Sequence, residues 1–262
     1  MIGLVMAGGR GSRMAATMAA ATAGRQPRQG GGDAPTVEKL LLLVASHAGG
    51  GGGNSDDAAR RRKPVVAHVI DTLAGCDFIE TVVAVTGPNS PHTRRMLQDV
   101  YGSSSGSGNS GSSRKVRITD SAGAGYSRDL GSAVQSLLRE RRAGGGGDAA
   151  VLVVPGDMPL LDEDTVARVS DRYARDAWTS IVTSRTYAER WGMEPEYGVV
   201  VNGTACCYTG VSIVGLQAVA SQEEIAQRHV LMDDHRVAFT LNTMRDYERL
   251  LLYDDALTSR RQ

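Results

Sequence analysis

The sequence predicts an α/β fold, a three-layer α/β/α sandwich with a mostly parallel twisted sheet at its centre. Three observations predict it. Short apolar, β-branched runs alternate with segments of helical periodicity, the pattern of a parallel sheet covered on both faces. The first run, Ile2–Met6, feeds directly into Gly8-Gly9, so a strand ends in a glycine loop. The 262 residues, 41 % of them apolar, suffice for one domain with insertions.

Each element has its own signal. Ile2–Met6 is uninterrupted by polar residues, as a strand buried on both faces must be. Pro64–Leu73 places Val65, Val66, Val69, Ile70 and Leu73 on one helical face. Thr81–Val85 reads as a strand, and Pro91–Val100 as a helix with Ser90 as its N-cap. Val116–Thr119 is a strand. Ser127–Arg141 is a helix with Leu130, Val134, Leu137 and Leu138 aligned. Ala150–Val154 is a wholly apolar strand, and Asp162 caps a helix reaching Tyr173. Ser180–Thr183 and Val199–Val201 follow as strands. Asn202-Gly203 is a hairpin turn with Gly210–Val214 as the return strand. Ala238–Leu241 is the expected last strand and Thr243–Leu252 the closing helix. Four low-complexity stretches, near 15–35, 45–62, 102–113 and 143–148, read as loop insertions within a single domain spanning 1–262.

Composition narrows the function. Lys plus Arg equals Asp plus Glu at 29 each, so bulk charge points to no nucleic-acid partner. The basic runs Arg60–Lys63 and Arg139–Arg142 read as solvated charge. Aromatics are only 5 %, which leaves the core to aliphatic residues. Cys76, Cys206 and Cys207 are odd in number, with two adjacent, and make a poor disulfide framework. Neither they nor the scattered histidines have metal-site spacing. No apolar run is long enough to span a membrane, and Ile2–Ala7 is too short for a signal peptide. The expectation is a reduced, cytoplasmic protein.

The chemistry-bearing motifs fall at predicted strand ends, where open α/β sheets bind ligands. In Ala7-Gly8-Gly9-Arg10-Gly11-Ser12-Arg13-Met14, glycines let backbone N–H groups approach a polyphosphate. Arg10 and Arg13 add charges suited to phosphate oxygens, which a plain glycine turn does not need. It is neither a Walker loop nor a dinucleotide fingerprint. Lys39, after Glu38, stands beside the apolar run Leu40–Val44, as a solvated strand end or as a clamp for the α-phosphate. Asp157 emerges from the apolar strand within Val151–Leu161; a turn Asp would do the same, but the placement favours a Mg²⁺ ligand. Thr86-Gly-Pro-Asn89-Ser-Pro91 is a turn that could also read a base edge, and in Asp120-Ser-Ala-Gly123-Ala-Gly125-Tyr126-Ser-Arg-Asp129 two glycines precede a helix.

Taken in order, Gly8–Met14, Glu38-Lys39, Lys63-Pro64 and Gly156-Asp157-Met158-Pro159-Leu160 resemble the MobA-like nucleotidyltransferases over nearly the whole chain. Within that family, Gly87–Thr93, Asp120–Leu130 and Phe239–Asp246 are similar to segments of archaeal GTP:adenosylcobinamide-phosphate guanylyltransferases. The Met14–Glu38 spacing is much longer than the family's. Two further features depart from the cobinamide branch. Gly156–Leu160 is closer to the molybdenum-cofactor enzymes, and Ser212 stands where the cobinamide branch has Asn. The resemblance implies a Rossmann-like nucleotidyltransferase fold, GTP as donor and Mg²⁺ as cofactor. It also implies a phosphate-bearing small-molecule acceptor and a homodimer. It gives Arg13, Lys39 and Asp157 the catalytic roles, with Asp157 on the metal. Ala7, Gly8, Gly9, Arg10, Gly11, Ser12, Arg13, Lys39, Thr86, Asn89, Gly123, Gly125 and Gly156 would hold the nucleotide. Gly210, Ser212 and Asn242 would meet the acceptor.

One prediction belongs to the sequence alone. Deleting most of Gly102–Ser113 should leave melting temperature and turnover nearly unchanged, because closure entropy varies only slowly with loop length. A large drop in either contradicts the insertion reading.

Overall fold

The computed structural model describes residues 1–8, 38–45, 62–102, 115–194, 197–221 and 224–259. The expected insertion at 15–35 lies outside them, as do the interiors of those at 45–62 and 102–113.

The sheet is built around Ile2–Met6 (β1). It pairs in parallel with Thr81–Thr86 (β4), Ile2 opposite Thr81, and with Ala150–Pro155 (β6), Ile2 opposite Val151. Beyond β4 lies the edge strand Val116–Asp120 (β5), also parallel. Beyond β6 comes Thr204–Gly215 (β9), antiparallel, then Ala177–Ser184 (β7), antiparallel to β9. Ala226–Leu231 (β10) closes the other edge, parallel to β7, giving the order β10-β7-β9-β6-β1-β4-β5. Gly198–Val201 (β8) forms a hairpin with β9. Its turn residues Asn202 and Gly203 have φ of +49° and +79°, the left-handed pair a two-residue hairpin requires. Leu43–Ala45 (β2) and Arg62–Pro64 (β3) make a separate antiparallel ribbon.

Alternation along the strands builds two cores. Val5, Val82, Ala84, Leu152 and Val154 face one side, where Val65–Gly75 (α1), Pro91–Tyr101 (α2) and Glu163–Ser170 (α4) pack through Ile70, Leu73, Leu97 and Val166. Ile2, Leu4, Val83, Val85, Val151 and Val153 face the other, covered by Tyr126–Ala143 (α3) and Leu216–Ala220 (α6). Each buried Val, Leu or Ile among them contributes about 1.5–3 kcal/mol of transfer free energy. The fold is the mostly parallel α/β/α sandwich expected.

The elements buried on both faces fall close to their expected positions. Asp162 caps α4 by accepting from Thr165 N at 2.8 Å, although that helix stops at Ser170, short of Tyr173. The 143–148 stretch is an exposed turn between α3 and β6, with Gly145 at φ +64°. Ala238–Leu241 is not a strand: Ala238 ends the short helix His235–Ala238 (α7), and Phe239 and Leu241 are apolar because they are buried. Leu241 N donates to Asp157 O (2.9 Å), a loop contact with no ladder. The strand nearby in sequence is β10, exposed along most of its length and hence without an apolar pattern. Ser90 occupies the N-cap of α2 but makes no capping bond to it. Arg185–Arg190 (α5) was not anticipated, and the closing helix runs Met244–Ser259 (α8).

Charge ties α7 to α4. Arg236 meets Asp162 Oδ2 at 2.8 Å and Asp234 at 2.9 and 3.1 Å, and Arg168 also donates to Asp234. Burial alone would raise the Asp234 carboxyl, but hydrogen bonds from Arg236 and Arg168 outweigh it and hold it well below the usual carboxylate range. Asp162 is lowered in the same way, burial being outweighed by bonds from Thr165 and Arg236. A carboxyl with a depressed folded pKa contributes stability above its unfolded pKa and loses that contribution as pH falls through the folded one. Asp234→Asn should therefore lower the melting temperature at neutral pH. It should also drop less than the native chain between about pH 5 and about pH 2. Parallel acid limbs in the two melting profiles would refute this.

Candidate active site

The carboxyl ends of β1, β4, β5 and β6 are stitched together by backbone. Ala7 N donates to Val85 O (2.8 Å), Gly156 N to Met6 O (3.1 Å) and Ser121 N to Thr86 O (2.6 Å). Two glycines here answer to close approach. A Cβ on Gly8 would stand 3.2 Å from Gly87 N, and one on Gly156 would stand 3.2 Å from Met6 O. A side chain at either crossing would make the facing backbone give by a few tenths of an ångström.

Lys39 and Asp157 meet at this junction. Lys39 opens the 3-10 turn Lys39–Leu41, anchored by buried Leu40. Asp157 follows Gly156 at the end of β6. Lys39 Nζ donates to Asp157 Oδ2 at 2.5 Å, with the side chains only 15 % and 11 % exposed. The other oxygen, Asp157 Oδ1, is buried without a hydrogen-bond partner. A carboxylate oxygen out of water and unbonded is costly, and a hard cation is one group that would satisfy it. Among the described residues no three His, Cys, Asp or Glu side chains gather as a metal cluster. A cation on Asp157 would then take its remaining ligands from substrate oxygens and water, the habit of Mg²⁺.

On one side of this pair lie two loops. Thr86 is fully buried, its hydroxyl 3.1 Å from Asp120 Oδ1 and 3.3 Å from Thr119 O. Pro88 and Asn89 are exposed. Gly123 has φ +68°, and a Cβ there would stand 2.6 Å from Pro88 Cγ and 3.4 Å from Asn89 Nδ2. The 86–90 and 121–125 loops thus form one wall. Gly125, at φ +110°, holds the N-cap of α3.

On the other side a cleft of about 1010 Å³ opens, lined by Asp157, Pro155, Tyr126, Gly210, Tyr208, Asn242 and Arg245 among others. Gly210 has φ +83°, and a Cβ there would stand 2.6 Å from Pro155 Cγ. Tyr126 Oη donates to Gly210 O at 3.4 Å. Tyr126 is half exposed, yet local burial of its phenol, then the charge of Asp157, push that group upward, and like any phenol it is a donor at neutral pH. The far wall is set by Asp246, whose Oδ2 accepts from Asn242 N (3.0 Å), Thr243 N (2.7 Å) and Thr243 Oγ1 (2.9 Å).

The MobA-like NTP transferase domain model matches residues 3–235. The chain belongs to this family. It is therefore a nucleotidyltransferase. A nucleotidyl transferase from Methanothermobacter is 18 % identical, with 97 % of each chain covered and a TM-score of 0.51. A glucose-1-phosphate thymidylyltransferase from Bacillus anthracis is 15 % identical, covering 97 % of this chain and 95 % of its own, with a TM-score of 0.55. A 4-diphosphocytidyl-2C-methyl-D-erythritol synthase is 14 % identical, covering 96 % and 97 %, also at 0.55. At these identities the likeness is one of fold. No curated protein sequence matches the chain.

In this transferase the structure brings together most of the described candidates. Ala7, Gly8, Lys39, Gly156 and Asp157 converge at the strand ends, Asn89 and Gly123 share the wall beside them, and Gly210 and Asn242 line the cleft. Gly9, Arg10, Gly11, Ser12 and Arg13 lie outside the described residues. Ser212 is not brought in. It sits within the sheet, paired with Val153 and Ser180, buried and away from the cleft lining. Tyr208 and Arg245 line the cleft without having been singled out from the sequence. Nothing in an isolated Tyr or Arg marks a wall that only strand pairing and helix docking create. Among the described residues no helix is long and apolar enough to cross a membrane.

Proposed function

We propose that this transferase moves GMP from GTP onto the phosphate of adenosylcobinamide phosphate and releases pyrophosphate. The observation that carries the donor half is the Lys39–Asp157 pair, a cation and a half-satisfied carboxylate at the mouth of a cleft large enough for an acceptor. The acceptor half is supported by the resemblance of Gly87–Thr93, Asp120–Leu130 and Phe239–Asp246 to the cobinamide branch. Gly156–Leu160 favours a second acceptor, molybdopterin, for the same donor chemistry.

An acceptor phosphate oxygen bonds to the α-phosphorus as the bond to the bridging oxygen breaks, and pyrophosphate leaves with that electron pair. The attacking phosphate is already an anion, so no general base is required. The barrier is one of repulsion and alignment. The backbone at Ala7 and Gly8, with Gly9, Arg10, Gly11 and Ser12 beyond, cradles the triphosphate. Lys39 and Arg13 neutralise charge on the α-phosphate and the departing pyrophosphate. Asn89, Gly123 and Gly125, with Thr86 bracing the loop, face the guanine and ribose. Gly210, Asn242 and Tyr126 meet the acceptor. Asp157 Oδ1 would hold Mg²⁺, which when bound spreads charge away from the phosphate oxygens. A cytoplasmic site agrees with three buried, unpaired thiols at Cys76, Cys206 and Cys207. A homodimer is part of the same proposal, on the family resemblance.

Pyrophosphate release should require GTP, Mg²⁺ and adenosylcobinamide phosphate together, and should stop on chelation. Release with molybdopterin instead would keep the donor and replace the acceptor. GTP binding without release from either would leave a nucleotide sensor. Lys39→Ala should lower turnover at least about a hundredfold, the scale of losing one charge-stabilising donor. Asp157→Asn should abolish Mg²⁺-dependent turnover, with both variants still melting cooperatively. Native turnover in either variant removes its assigned role.

A further inference from the structure

Glu38, the neighbour of Lys39, is engaged elsewhere. Its Oε1 accepts from His92 N at 2.9 Å and its Oε2 from Thr93 N at 2.7 Å. These amides belong to the first turn of α2, where a helix has no acceptor of its own for its N–H groups. The residue placed to cap them, Ser90, spends its hydroxyl on the strand ends. Ser90 Oγ stands 3.1 Å from Ala7 O and 3.2 Å from Gly87 O. The start of α2 is therefore capped from a distant part of the chain, by a carboxylate whose charge the helix N-terminus favours. The same helix start holds the chain on both sides of residues 9–37, through Ser90 at Ala7 and through His92 and Thr93 at Glu38.

Lys39 needs such an anchor. Its side chain has four rotatable bonds, and its backbone is held on the far side by Leu40, buried in the core. Glu38 holds the near side. Leu41 N closes the turn onto Glu38 O at 2.9 Å, so without the carboxylate the turn would shift as a unit against α2, and the ammonium would no longer be aimed at the junction of the strand ends. A misplacement of about 1 Å at a charge-stabilising group is enough to cost rate and affinity. We propose, on the reading of Lys39 as a phosphate-neutralising group, that Glu38 is a positioning residue. By capping α2 it fixes Lys39 against the triphosphate, and so couples the wall formed by the 86–90 loop to the phosphate site.

A cap that merely stabilises α2 and a cap that positions Lys39 differ in coupling. The test is a double-mutant cycle on GTP affinity in Mg²⁺, by calorimetry on the full chain, with Glu38→Ala, Lys39→Met and the pair combined. Glu38→Ala should weaken GTP about tenfold in the native background and within about twofold once Lys39 is gone, because neighbours acting through one contact are not additive. Glu38→Gln, which keeps one accepting oxygen, should fall between, and it carries the cycle if the alanine variant does not fold. Equal losses in both backgrounds would make Glu38 a helix cap only and overturn the proposal. Native-like GTP binding by Lys39→Met, or none by the native chain, would instead remove the phosphate reading of Lys39. The proposal would fall with it.

Discussion

Lys39 Nζ spans 118 positions of sequence to reach Asp157 Oδ2, and the arrangement of the site turns on that contact. Isolated, either charge would be expensive to hold this far from water. Together they are tolerable, but the pair is incomplete, since a lysine satisfies one carboxylate oxygen and leaves the other bare. A protein selected for stability alone could fill such a place with apolar side chains at little cost. A buried pair with an open coordination position has the chemistry of a site waiting for a cation and an anion together. Mg²⁺ bound to triphosphate is such a combination.

The surrounding fold exists to make that meeting possible. The parallel pairing of β4, β1 and β6 brings three carboxyl ends level, so their loops emerge on one side. Gly8, Gly87 and Gly156 let those loops touch backbone to backbone. Antiparallel β9 then folds back beside β6, and Gly210, tight against Pro155, lines the cleft next to Asp157. In the proposed transfer the donor and acceptor sides meet at one carboxylate, the economy an in-line step needs.

Much of this was legible in the sequence, for a physical reason. Strands β1, β4 and β6 are buried on both faces, so they are written as short, almost wholly apolar runs, and their ends are marked by glycine and Asp157. Strand β10 is an exposed edge and carries no such imprint, while Phe239 and Leu241 are apolar through burial in a loop and so imitate a strand. Ser90 looked like a cap because capping residues are recognised by local spacing. The true partner of α2 is Glu38, and a cap supplied across the fold leaves no local trace. Ser212 was placed at the acceptor by resemblance alone, and strand register put it inside the sheet.

On the proposed function, Asp157 would hold Mg²⁺ through its unpartnered Oδ1, and Lys39 would reach the α-phosphate of the bound triphosphate. A crystal structure with Mg²⁺ and a GTP analogue that cannot be cleaved between the α- and β-phosphates tests it most directly. Asp157 should lie on the metal and Lys39 on an α-phosphate oxygen, with Glu38 still capping α2. Lys39 remaining on Asp157 with the triphosphate bound elsewhere would contradict it.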